Sequence, residues 1–588
     1  MRIGLLTEGG CPYASGETRR WRDRLVRGLT SHEFEIYALG RGPGAGGEGA
    51  PDRVRAVRTA PLYGELPGAL RWRPGRRAVV RGRRARVRFA ECFGDLTAGF
   101  VAAGFVTAQA AGGQADRFAA GLYGLAALAR DHGSLPELLR SEQAVRLLES
   151  ACRAPGALRA AHGARVGDLL AVTEELERTL RPLSLDWYGG AAGTCAAGGA
   201  GAPAGLAAVD LCHATAGGAA ALPGLLAKRF FGTPLLLTEY GVRLREHYLA
   251  GPGSPLSAPV RALLSAFENA LAKETYAQAA LITPGTTHTR RWQEHCGADR
   301  ARQRTVHPGM DAAAFTAVPD AAADLSKTLV WTGTADADKD LVSLLHAFAR
   351  VHRAEPDATL RVVGAAGPGR GDRAYLAHCR ALAAQLFPDE AADALSAGDN
   401  PVSFEEAGGP DLPRPEDVYA AGSVLVLSSV AEGFPRSLME AMFSGRATVS
   451  TDVGAVCEII GGTGLVVPPR NPRALADACL ELLRDPGRRA RLGAAARARA
   501  LELFTVEQNV AAFRGIYLEL ISHTAGGAGP AAAGAPRPFA RPAESHVPGR
   551  WAVARGVRQT APPTGRAPSW AEPAAAGAAP AGPRGARP

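Results

Sequence analysis

The strongest constraint on this chain is an alternation that occurs twice: short apolar runs, each followed by a segment with helical spacing. In the first half the runs are Met1–Thr7, Phe34–Leu39, Val209–His213, Pro234–Thr238, Ala280–Thr283 and Thr305–Val306. In the second they are Thr328–Trp331, Thr359–Val363, Val402–Phe404, Val424–Leu427, Ala447–Ser450 and Leu465–Val467. Such runs suit strands buried on both faces, with the intervening helices as covering layers. Helical spacing falls over Trp21–Leu29, Asp340–Arg353, Arg373–Phe387, Glu416–Ala421 and Thr505–Ile521. The expected class is α/β: two Rossmann-like, doubly wound domains in tandem, facing across a cleft. Ligands of such sheets bind outside the strands' carboxyl ends.

The 588 residues have room for two large domains and extras, and 46% apolar residues suffice for sizeable cores. The first domain is expected over residues 1–311, with a helical insertion at about 95–185. Residues 312–326 read as a linker and 327–504 as the second domain. Residues 505–523 read as a helix crossing back onto the first. Gly-rich stretches at 41–52 and 189–205 read as loops. From Thr524 on, Ala, Pro, Gly and Arg dominate, and a disordered tail is expected.

Of the formal charge of +10, six units lie in that tail, so the rest gives no nucleic-acid footprint. Nine arginines between Arg71 and Arg88 read as a solvated basic segment or as a grip on an anionic acceptor or membrane surface. Nine scattered cysteines without a C-x-x-C pair argue for a reducing compartment. No run of apolar residues is long enough to span a bilayer. A cytoplasmic protein is expected, with the option of peripheral attachment at the membrane's inner face.

The segment Glu432-Gly433-Phe434-Pro435-Arg436-Ser437-Leu438-Met439-Glu440 follows one apolar run and opens a helix. Pro435 suits a first helical position. The helix start offers backbone N–H groups at Arg436 to Leu438 and the positive end of a dipole to a diphosphate. Glu432 precedes the helix, and Glu440 lies about 7–8 Å along its axis. Carboxylates on either side of a bound diphosphate can accept hydrogen bonds from sugar hydroxyls.

The stretch resembles the E-x7-E motif of retaining glycosyltransferases of family 4, which have the GT-B fold. The resemblance implies that Glu432 contacts the donor sugar and Glu440 the ribose. Gly433, Phe434, Arg436, Ser437 and Leu438 would line the donor site. It also implies UDP as the nucleotide of a UDP-sugar co-substrate, with no cofactor and no metal. Family 4 places an Arg and a Lys after the first strand of this domain. Lys339 matches that Lys and would stabilise the leaving diphosphate, whereas Thr334 stands where the Arg is expected. Asp336-Ala337-Asp338 spells D-x-D, but aspartates just before a helix more often cap it. His307-Pro308-Gly309-Met310-Asp311 resembles the turn before the interdomain linker, and Thr451–Ala455 with Glu458 continues the family pattern.

In the first half, Thr7–Tyr13, Trp21, His213 and Thr238–Glu246 resemble the branch that includes the cytosolic glycosyltransferase of the Pel exopolysaccharide system. Acceptor-side candidates are Glu8, Gly9, His213 and Glu239. His213 reads equally as an acceptor contact or as a satisfied buried histidine. Glu17 stands where the branch has a glycine.

The function implied is retaining transfer of a sugar to a glycan or small-molecule acceptor, with a membrane synthase as a further partner. The rival readings are a GT-B nucleotide-sugar epimerase and a weakly active scaffold.

Overall fold

The computed structural model describes residues 1–8, 17–40, 53–64, 82–102, 108–133, 135–189, 205–250, 255–315, 327–367, 369, 371–388, 400–409, 412 and 414–523. Gly9, segments 41–52, 65–81, 190–204 and 316–326, and the tail from 524 lie outside them.

The chain opens with β1 (Arg2–Glu8), α1 (Glu17–Gly28), β2 (Glu33–Gly40) and β3 (Val54–Pro61). A run of helices follows: α2 (Gly82–Val101), α3 (Ala108–His132), α4 (Leu135–Leu139), α5 (Glu142–Arg153) and α6 (Val166–Leu180). Then come β4 (Leu211–Ala214), α7 (Leu222–Phe231), β5 (Leu235–Glu239), α8 (Arg243–Ala250) and α9 (Ala258–Gln278). β6 (Leu281–Pro284) and α10 (Thr287–His295) close this half.

The second half starts with β7 (Thr328–Ala335), α11 (Leu341–Ala354), β8 (Thr359–Ala366), α12 (Asp372–Leu386) and β9 (Val402–Glu405). It continues through α13 (Pro415–Ala420), β10 (Val424–Leu427), α14 (Arg436–Phe443), β11 (Ala447–Thr451), α15 (Val456–Ile460) and β12 (Leu465–Val467). Three helices end it: α16 (Pro472–Arg484), α17 (Pro486–Leu503) and α18 (Val506–His523).

All strand pairs are parallel. The orders are β3-β2-β1-β4-β5-β6 and β9-β8-β7-β10-β11-β12, the same doubly wound order built twice. Each sheet has its switch point where the order reverses, between β1 and β4 and between β7 and β10. The central strands are buried along their length, as Val424 to Leu427 and Leu235 to Glu239 show. Burying each such Val or Leu stabilises the fold by about 1.5–3 kcal/mol.

The helical insertion begins at Gly82, not near 95, so Arg83, Arg84 and Arg86 are exposed residues of the first turns of α2. It shares the first sheet's core, with Phe89, Phe93, Phe118 and Leu122 in one cluster with Tyr37 and Trp187. Gly121 lets α3 press on α2, since a Cβ there would lie 2.4 Å from the Leu96 nitrogen. Thr305–Val306 does not form a strand. Arg304 and Val306 N–H each donate to the β6 backbone at 2.9 Å, and no further ladder forms. Conversely, β3 is a strand that apolar patterning does not flag, because Arg55 and Arg58 interrupt it and an edge strand needs only one apolar face.

The last helix returns to the first sheet. Val510, Phe513, Ile516, Tyr517 and Leu520 join Ile3, Leu5, Trp21, Leu25 and Phe34 in one core. At the crossing, Met310 N–H donates to Phe504 O at 2.9 Å and Met310 bridges Thr505, so the outgoing and returning chains run side by side.

Candidate active site

Two loops meet at the switch point of the second sheet, one from β7 to α11 and one from β10 to α14. In the first, the Asp336 carboxylate caps a tight turn over Ala337–Lys339, accepting from the Asp338 and Lys339 N–H groups. Asp340, at a left-handed φ of 47°, caps α11 through Ser343 N–H. The second loop is stitched onto the first. Val430 N–H donates to Asp338 O at 2.8 Å, and Ser428 Oγ donates to Lys339 O at 2.7 Å.

This stitching brings together residues 93 apart in sequence: the Lys339 ammonium pairs with Glu432 Oε1, which also accepts from Ser429 Oγ at 2.9 Å. The Glu432 side chain is 8% exposed and that of Lys339 22%. Neither group is exhausted, because an ammonium has three donors and a carboxylate about four acceptor positions. The Glu432 backbone is equally confined. Its carbonyl accepts from Arg245 Nη2 of the first domain at 2.7 Å, and a Cβ on Gly454, itself at φ 57°, would lie 2.4 Å from the same oxygen.

Pro435 is the residue before α14, not its first residue, and its side chain makes no capping bond to the helix. The N–H groups of Arg436, Ser437 and Leu438 therefore begin the helix without intrahelical acceptors. The Leu438 side chain lies in the core, so only its backbone is available to the site. Glu440, buried, accepts from Tyr419 Oη at 2.6 Å and Arg436 Nε at 2.6 Å. Burial, then the Glu440 charge, pushes the Tyr419 phenol well above its usual range, so it stays a donor. Gly433 and Phe434 are half-buried beside Glu432, and Thr334 is exposed at the end of β7. Among the described residues no cluster of three or more His, Cys, Asp or Glu is placed to hold a metal ion, and the Asp336 carboxylate is committed to its cap.

In the first domain, Glu8 ends β1, and its two carboxylate oxygens accept from Arg243 Nη1 at 2.8 and 3.0 Å. Arg243 Nε also pairs with Glu268 at 3.1 Å. Glu239 ends β5, where its Oε2 accepts from Tyr276 Oη at 2.8 Å and Gln293 Nε2 at 2.9 Å. Burial raises its carboxyl to about 7 despite those bonds. His213 has no exposed surface: Nδ1 meets Tyr517 Oη and Nε2 meets Thr238 Oγ1, both at 2.7 Å. Burial lowers its pKa to about 3, and the neutral ring offers a bound molecule no free edge. It is a core histidine pinning α18 to the sheet.

Sequence reasoning did not single out Arg245, Tyr419, Ser429 or Thr287. Thr287 N–H donates to Glu458 Oε2 at 2.7 Å, a second contact across the cleft. Arg245, Tyr419 and Thr287 act on partners from other elements, which their own neighbours in sequence do not record, whereas Ser429 acts three residues along its own loop.

Residues 326–485 match the family model described as glycosyl transferases group 1. Residues 1–160 and 200–301 match a domain of unknown function, DUF3492. The D-inositol 3-phosphate glycosyltransferase of Kineococcus radiotolerans is 31% identical over 226 residues, 35% of this chain and 49% of that protein. The enzyme of the same name from Rhodococcus jostii is 29% identical over 283 residues, 46% of this chain and 58% of that protein. The chain thus spans about half the length of the curated relatives it matches. The sucrose-phosphate synthase structure from Thermosynechococcus elongatus superposes with a TM-score of 0.52 at 16% identity, covering 89% of this chain and all of that one. The chain has the GT-B fold, and within it the second domain is the part that resembles group 1 glycosyl transferases.

Proposed function

We propose that this protein transfers a sugar from a nucleoside diphosphate, UDP being the nucleotide, to a hydroxyl of a glycan or small-molecule acceptor, with retention at the anomeric carbon. The observation that carries the reading is the meeting of Lys339 and Glu432 at the second sheet's switch point, just before the start of α14. In this reading the diphosphate lies against Lys339 and the N–H groups of Arg436 to Leu438. Glu432 accepts from donor-sugar hydroxyls, and Glu440 uses its remaining lone pairs on the ribose. The anomeric carbon's bond to the diphosphate oxygen breaks as a bond to the acceptor oxygen forms on the same face. The acceptor's proton passes to the leaving diphosphate, whose growing charge Lys339 offsets. Membership of retaining family 4, in the branch resembling the Pel exopolysaccharide enzyme, belongs to the same proposal. It is supported by the spacing of Glu432 and Glu440 and by the position of Lys339.

The test is a panel of nucleotide-sugars with purified protein, with and without candidate glycan acceptors, reading free UDP or GDP and the anomeric configuration by NMR. Transfer with retention is expected. A rearranged sugar without acceptor identifies an epimerase, inversion removes the family 4 assignment, and no donor turnover leaves a scaffold.

A further inference from the structure

The candidate donor site contains a charge imbalance that the Lys339–Glu432 pair does not resolve. Lys339 is matched by a carboxylate. Arg245, reaching in from α8 of the first domain, is not: its contact is the hydrogen bond to the Glu432 carbonyl. Among the described residues no carboxylate lies within ion-pair distance of Arg245, and its other guanidinium N–H groups have no partner. Two cations from opposite domains therefore converge on one residue, one on its side chain and one on its backbone. His288 stands near enough to Arg245 and Arg291 that both, after burial, disfavour its protonation, while the Glu458 carboxylate, which accepts from Thr287, opposes them more weakly. A half-buried guanidinium fixed by a carbonyl and lacking a counter-ion is arranged to bind an anion, and its planar fork matches a phosphate.

We propose that Arg245 binds the donor's diphosphate, supplying from the first domain the guanidinium that Thr334 does not supply from the second. The assignment rests on the glycosyltransferase reading above. It also specifies which phosphate is bound. In that reading Glu432 faces the sugar and Glu440 the ribose, so a cation held at Glu432 addresses the phosphate next to the sugar. A nucleoside monophosphate lacks that phosphate. A further consequence is that the diphosphate site is complete only when the first domain's α8 meets the second domain's Glu432 loop, which ties donor affinity to cleft closure.

The experiment is calorimetric titration of the full chain with UDP, GDP and ADP. The tightest of these and its monophosphate are then measured on Arg245→Ala, Arg245→Gln, Arg245→Lys and the Thr334→Arg/Arg245→Ala double variant. Removing a charge-assisted contact is expected to weaken the diphosphate about ten- to a hundredfold and the monophosphate less than about threefold. Arg245→Gln, which keeps a donor without the charge, should resemble Arg245→Ala. Arg245→Lys and the double variant should recover most of the loss. Unchanged diphosphate affinity in Arg245→Ala, or equal losses for diphosphate and monophosphate, overturns the assignment and leaves Arg245 a latch between domains. If the wild-type protein binds none of the three diphosphates, the glycosyltransferase reading falls first and this inference with it.

Discussion

Trp21 Nε1–H donates to Asn509 Oδ1 across 3.0 Å, joining the first helix of the chain to the last over 488 residues of sequence. The Asn509 amide also donates to His307 O at 2.7 Å, at the point where the chain passes between domains. One buried side chain thus ties α1, α18 and the crossing together. Asn509→Ala leaves the Trp21 indole N–H and a carbonyl without partners, and should destabilise the protein by about 2–4 kcal/mol in urea unfolding. A change below about 0.5 kcal/mol would mean that water replaces both bonds.

Glu432→Gln removes the carboxylate partner of Lys339 while keeping the residue's shape. Turnover is expected to fall more than nucleotide affinity, because in the proposed reading Glu432 faces the sugar. Glu440→Gln should do the reverse, weakening UDP roughly tenfold by calorimetry. Unchanged UDP binding in Glu440→Gln would remove the ribose assignment.

Lys339→Ala should lower turnover about thirty- to a thousandfold, the equivalent of roughly 2–4 kcal/mol. Asp336 is held as a cap, so activity is expected to survive EDTA. Activity that is abolished by EDTA and restored by magnesium or manganese would make Asp336 and Asp338 ligands instead.

Two buried groups impose opposite pH slopes on stability. Burial, against its hydrogen bonds, raises Glu239 from an ordinary 4.5 to about 7. Its contribution is full below 4.5 and is lost as pH rises through 7, because the folded state holds a proton that the unfolded chain has released. His213, lowered from 6.5 to about 3, contributes fully above 6.5 and loses that contribution as pH falls. Glu239→Gln should therefore melt near the wild-type temperature at about pH 4.5 and above it at about pH 8, the gap approaching 3 kcal/mol at most. A gap that does not widen with pH would show that Glu239 ionises freely in the fold.

The strands of both sheets were legible wherever a run was apolar throughout, as at Val424–Leu427, because burial on both faces leaves no alternation to misread. β3 was not legible, since Arg55 and Arg58 interrupt its apolar run at the sheet's edge. The approach of Lys339 to Glu432 follows once β7 and β10 are placed side by side, an adjacency that the doubly wound order supplies. Arg245 was beyond reach for a different reason: its partner lies in the other domain, and no periodicity records how two domains face. His213 admits two readings in sequence because histidine suits both, and its two partnered nitrogens separate them.

The side-by-side crossing of Met310 and Thr505 has a mechanical consequence. Two bodies joined by two separate tethers can twist and slide, but two tethers fastened to each other act as one seam. Rotation about that seam is the motion that costs least, since it leaves the Met310–Phe504 bond and the Asn509 clasp intact. Opening and shutting then resembles the turning of a book about its spine, with Arg245 and Thr287 on one page meeting Glu432 and Glu458 on the other.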